Sequence, residues 1–140
     1  MDIKECTEKG YLVRIEDTNN LIKKEFDEAE YDLEKSKKAF EDEDYKWCIV
    51  KAYYCIFHSA RAVLFKLNLR EKRHFAIGIV LEELNKNGKL ESKYVNYFNA
   101  AVSSREDADY HYIYSRNIAE HTIEIAEEFI VKMRYLVDIL

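Results

Sequence analysis

From Leu21 onward the apolar residues fall into stripes with a helical period. Ile22, Phe26, Ala29, Leu33 and Phe40, with Ser36 filling one slot, step by three and four, which lays them on one face of an amphipathic helix of about five turns. The acidic run EDED at 41–44 predicts a break and then a negative start to a second helix, where carboxylates suit the helix dipole. That second helix is predicted from Tyr45 to about Leu67, and its pattern is different. Val50, Tyr53, Phe57, Ala60 and Leu64 share one side, while Ile49, Ile56 and Val63 extend it. An apolar arc this wide belongs to a central helix touched by several neighbours.

Two narrower stripes complete its surface. Cys48, Ala52, Cys55, Ser59 and Ala62 are small and invite close approach by another helix, whereas Trp47, Lys51, Tyr54, His58, Arg61 and Phe65 place polar groups between aromatic ones. A polar strip on a buried-looking helix predicts a cleft wall or a subunit contact. A third helix is expected over about 73–85, ending at Gly88, where a glycine suits the left-handed turn that closes a helix. The fourth begins near Glu91 and Ser92 and passes Tyr94, Tyr97, Phe98 and Ala101 toward Arg105, with an unusually polar second half. Ser115 can cap the fifth, in which Ile118, Thr122, Ile125, Phe129, Met133, Leu136 and Leu140 repeat the same step. Residues 1–18 show no clean period and read as an N-terminal arm; 19–140 read as one all-α, up-and-down antiparallel bundle of about five helices.

Composition narrows the chemistry. There is no proline, glycine occurs only at positions 10, 78 and 88, and neither a phosphate-cradling glycine loop nor a zincin or nucleophile-elbow motif is present. A carboxylate di-iron site needs two Glu-x-x-His units, and only Glu71–His74 has that spacing. Cys6, Cys48 and Cys55 form no CxxC pair, so neither a disulfide framework nor a cysteine zinc site is indicated. No cofactor and no metal are expected. The net charge of −5 argues against a broad basic face for nucleic acid, and the basic run Arg70, Lys72, Arg73 reads as a solvated connector. No stretch approaches ~18 uninterrupted apolar residues and the N-terminus lacks a signal-peptide core. A cytoplasmic protein without membrane contact is the expectation.

The ordered set AYYCIFHSARAVLF, REKRHF, GKL and REDADY resembles the HEPN domain family over roughly residues 21–131. The resemblance implies a helical bundle that pairs as a homodimer and works beside a minimal nucleotidyltransferase, with nucleotide or RNA as ligand. It also implies, for toxin members, metal-independent RNA cleavage by an Arg-x4–6-His motif, which Arg105 and His111 match. The subgroup pattern Arg-x-x-Ala-Asp-Tyr is matched by Arg105, Ala108, Asp109 and Tyr110. An arginine can stabilise charge on phosphorus and a histidine can move the 2′-hydroxyl proton. Six helical positions leave these two about 120° apart, so they meet only if the helix breaks or a second subunit gathers them. The expected sites are therefore Arg105 and His111 for catalysis, and Tyr54, His58, Arg61, Asp109 and Tyr110 for nucleotide binding. The bland alternatives are an Arg105–Asp109 ion pair within one helix, and His58 and Arg61 as interface or core hydrogen-bonding groups.

Overall fold

The computed structural model describes all residues from Met1 to Leu140. Its elements in order are α1 (Ile3–Glu8), β1 (Leu12–Arg14), α2 (Asn19–Glu41), α3 (Tyr45–Lys66), β2 (Leu69–Glu71), α4 (Phe75–Lys86), α5 (Ser92–Tyr110) and α6 (Arg116–Ile139). The five long helices follow the sequence periodicity, and a short sixth helix, α1, precedes them. The all-α bundle is as expected, with a small antiparallel ribbon of β1 and β2 added to it.

Helix α3 is the axis of the fold. It packs against α2, α6, α5, α4 and β2, and its buried set includes every member of the wide apolar arc together with Cys48, Ala52, Cys55, Ser59 and Ala62. The small stripe does what its size allows: α2 presents Ala29 and Ser36, both fully buried, and the Ser36 hydroxyl donates to the Cys48 carbonyl at 2.7 Å. By length and composition α3 could cross a bilayer, yet 78% of that stretch is buried inside the bundle. Its apolar surface is spent on neighbouring helices.

Local signals set the helix ends. Asp44 accepts from the Trp47 N–H at 3.3 Å, and Ser115 accepts from the Ile118 N–H at 3.2 Å, each satisfying a donor that the first turn leaves free. The first eighteen residues carry more order than their lack of period suggests. Cys6 and Leu12 are completely buried in the main core, and the Ile3 N–H reaches Glu83 on α4 at 3.4 Å. β1 pairs with β2 in the register Leu12↔Glu71, Val13↔Arg70, Arg14↔Leu69. The alternation of a strand therefore turns Arg70 outward and Leu69 and Glu71 inward. Part of the basic run is thus a strand, and its one acid points into the protein.

Helix α5 runs past Arg105 to Tyr110 before it stops. Tyr112 adopts a left-handed backbone with φ 57°, and the His111 and Ile113 N–H groups both return to the Asp107 carbonyl, at 3.1 and 3.0 Å. Glycine usually takes such a position, and a bulky residue held there stores about 1–2 kcal/mol of strain.

Candidate functional site

The polar strip of α3 faces a row of acids. Glu25, Glu28 and Asp32 recur by three and four on one side of α2, opposite His58 and Arg61. His58 Nδ1 lies 2.5 Å from Glu25 Oε2 and its Nε2 3.6 Å from Asp32 Oδ2. Arg61 forms a fork on Glu71, with Nε 3.2 Å from both carboxylate oxygens and Nη2 2.7 Å from Oε2. Its Nη1 lies 3.6 Å from Glu25, and its guanidinium carbon stacks 4.4 Å from the Phe57 ring centre. Burial works to lower the Arg61 pKa, but hydrogen bonds and charge from Glu71 and then Glu25 outweigh it and raise the value. Both side chains are engaged from the side of α2 and β2. Tyr54, one turn before His58, is half-buried and packs its ring on Tyr53 and Phe57.

Arg105 lies on a different side of α3. It opens onto a cleft of about 340 Å³ between α3, α4 and α5, whose walls include Tyr53, Phe57, His74, Phe75, Phe98, Asn99, Glu82 and Glu106. Its guanidinium carbon is 5.4 Å from the Tyr53 ring centre and 5.8 Å from that of Tyr110. Asp109 Oδ2 sits 3.0 Å from Nε, yet off the line of its N–H, so this buried nitrogen has no aligned acceptor. Desolvation pulls the Arg105 pKa down, and Tyr54, Asp109, Tyr110 and Tyr53 together raise it above its ordinary value. The group is a permanent cation with donors to spare.

The catalytic candidates are oriented apart within one chain. Arg105 turns to Asp109, while His111, capping the same helix, places Nδ1 3.1 Å from Asp107 Oδ1. Those two acids are separated by about 200° around the helix. His111 lies in an exposed run in which Tyr110, Tyr112, Ile113 and Tyr114 all face solvent.

The HEPN domain family model matches residues 22–136. The chain belongs to the HEPN domain family. A relative from Methanocaldococcus jannaschii bearing the name "Putative toxin" is 33% identical over 116 residues, covering 79% of this chain and 78% of the relative. A second protein of that name and organism is 28% identical over 108 residues, covering 76% and 67%. A "UPF0332 protein" of Archaeoglobus fulgidus is 30% identical over 113 residues, covering 79% and 90%. The HEPN match begins inside α2, so α1 and β1 lie outside it.

In this HEPN protein the residues singled out from sequence occupy two neighbouring regions. His58 and Arg61 line the α2–α3 seam; Arg105, Asp109 and Tyr110 gather at the end of α5; Tyr53, Tyr54 and Phe57 stand between the groups, with Tyr54 packed on His58 and also acting on Arg105. Sequence reasoning missed Glu25, Asp32 and Glu71, which hold His58 and Arg61. It also missed the cleft residues Tyr53, His74 and Phe75. The spacing of Glu25, Glu28 and Asp32 on one helix side was a visible signal for the first two. Glu71, one acid inside a basic run, offered none until strand pairing turned it inward. His74 is the N-cap residue of α4, without a side-chain cap hydrogen bond, and its ring packs 5.2 Å from Phe57.

Proposed function

We propose that this HEPN protein is the toxin-like member of a two-component system with a minimal nucleotidyltransferase, and that it binds a nucleotide or RNA segment in the α3–α4–α5 cleft. The observation that carries this reading is Arg105: a guanidinium paired only with Asp109, set at the wall of an aromatic-sided cleft. Such a group suits phosphate, and the flat faces of Tyr53, Phe57 and Phe75 suit a base. Glu82 and Glu106 disfavour a second phosphate inside the cleft, so the remaining backbone of a longer ligand would run outward along Tyr110–Tyr114. Asp109 and Tyr110 orient the arginine, whereas His58 and Arg61 act through the framework that supports Phe57. Pairing of two copies belongs to the same reading.

The test is calorimetric titration of ATP, GTP and a short oligoribonucleotide into wild type, Arg105→Ala and Arg70→Ala. Loss of one charge-assisted contact, worth about 1.5–3 kcal/mol, predicts roughly 10- to 100-fold weaker binding in Arg105→Ala. Arg70→Ala, which removes an outward arginine of the ribbon, should bind as wild type does. No heat with any ligand, or equal affinity in Arg105→Ala, would refute the reading.

A second reading, metal-independent RNA cleavage, is favoured by the placement of His111 on an exposed segment whose next residue is strained. There the 2′-oxygen would attack phosphorus while His111 takes its proton, the P–O5′ bond would break as the 2′,3′-cyclic phosphate forms, and the leaving 5′-oxygen would take a proton from water to become a hydroxyl. Because Arg105 and His111 diverge within a chain, this reading requires a second subunit to bring one beside the other. Cleavage of RNA in EDTA that disappears in both Arg105→Ala and His111→Ala would support it; cleavage that persists in either removes that residue from the chemistry.

A further inference from the structure

We propose that Glu28, Asp32 and His58 form a binding site for a first-row divalent cation of the zinc type, held across the seam between α2 and α3. One ligating atom from each residue lies within 4.8 Å of the others. The separation of His58 Nε2 from Asp32 Oδ2, 3.6 Å, is too long for a hydrogen bond. It is close to the edge of a tetrahedron built on zinc bonds of 2.0–2.1 Å, which is about 3.3–3.4 Å.

The asymmetry of the imidazole strengthens the assignment. Glu25 lies 2.5 Å from Nδ1, a contact that an N–H on that nitrogen would satisfy, and Nε2 is the ring nitrogen on the side of Asp32. A metal-bound histidine is typically held in this way, with its second nitrogen donating to a carboxylate that fixes tautomer and ring orientation. Glu28 and Asp32 are four residues apart, so both carboxylates project from the same side of α2. The seam beneath them is closely packed through Ala29, Ala52 and Cys55, all fully buried, so the helices stay in place while side-chain rotation draws the ligand atoms together.

The donors choose the class of ion. One imidazole and two carboxylates suit zinc, cobalt or manganese; without a thiolate the set does not favour copper(I), and with a nitrogen it does not favour calcium or magnesium. Three protein ligands leave the remaining position to water. Asp32 is only 17% exposed and its one charged partner is His58, so no lysine or arginine supplies it with a permanent counter-charge. A bound cation would supply that charge and would pin α2 to α3, one turn from the Glu25–Arg61 contact.

The experiment uses the full chain without an affinity tag, stripped with EDTA and dialysed. Zinc is titrated calorimetrically and cobalt by its visible absorption, in wild type, Glu28→Gln, Asp32→Asn and His121→Ala. Glu28 is solvent-exposed, so its substitution leaves the packed seam intact; His121, an exposed histidine on α6, reports adventitious binding. The expected result is one cation per chain, at least about tenfold weaker in both carboxylate variants and unchanged in His121→Ala. Cobalt should give visible bands without the near-ultraviolet thiolate transition. The proposal is overturned by no binding up to about 1 mM zinc, by equal affinity in Glu28→Gln, or by a thiolate band that puts the metal on the cysteines.

Discussion

Replacing Glu71 by alanine removes the main partner of Arg61 and leaves the arginine where it is. Three nitrogen–oxygen contacts of 2.7–3.2 Å are lost, and the Glu71 side chain is only 4% exposed while that of Arg61 is 19% exposed. Breaking a fully buried pair from one side costs about 3–5 kcal/mol, because a charge is left without compensation. Arg61 keeps Glu25 at 3.6 Å and some contact with water, so the expected cost is about 2–3 kcal/mol. Unfolding entropy of about 2.1 cal/mol/K per residue amounts to roughly 0.3 kcal/mol/K for this chain length. The melting temperature should then fall by about 7–10 °C. Calorimetry and urea unfolding measure this directly. The double variant Arg61→Met, Glu71→Leu supplies the control, since apolar side chains of similar volume can replace a buried pair with little loss. It should therefore be more stable than Glu71→Ala. A cost below about 1 kcal/mol for Glu71→Ala, or a double variant whose loss equals the sum of the Arg61→Met and Glu71→Leu losses, would refute a coupled structural pair.

Asp32 predicts a pH dependence. Its folded-state pKa is raised above the ordinary 3.8 by burial, so the folded protein holds this proton more tightly than the unfolded chain. Its contribution to stability is then greatest below 3.8 and falls as pH rises through the folded value. In EDTA, Asp32→Asn should match wild type near the acid end and exceed it in urea midpoint at neutral pH; a lower midpoint at neutral pH would contradict the sign. Tyr112→Gly should stabilise the fold by about 1 kcal/mol by relieving a left-handed tyrosine, and an unchanged or lower urea midpoint would count against strain at that position. If the Tyr110–Tyr114 run guides the ligand, the same variant should bind the oligoribonucleotide more weakly while keeping mononucleotide affinity.

Much of this fold was readable because helices are written in local spacing. The three-and-four steps of α2 and α6, the broad arc of α3, the caps at Asp44 and Ser115, and the stop at Gly88 each depend on residues within a turn or two of one another. So did the family, whose ordered segments are short local runs on α3, in the connector, at the Gly88 turn and at the end of α5. The short α1 and the ribbon were not readable in this way. Six residues carry too few turns to show a period, and a three-residue strand takes its identity from its pairing partner.

The candidate site divides along the same line. Sequence alone placed Tyr54, His58 and Arg61 on one strip, and Arg105 beside Asp109 at helical spacing. Which groups answer them was decided by tertiary structure: Glu25 and Asp32 come from α2 and Glu71 from an inward-facing strand position. The direction of His111 likewise depends on how α5 ends, since the left-handed Tyr112 closes the helix and the ring settles on Asp107. Spacing along a helix specifies which side chains share a face. Only the packing of distant segments specifies what that face meets, because an ion pair or a cleft wall depends on distances that chain separation does not encode.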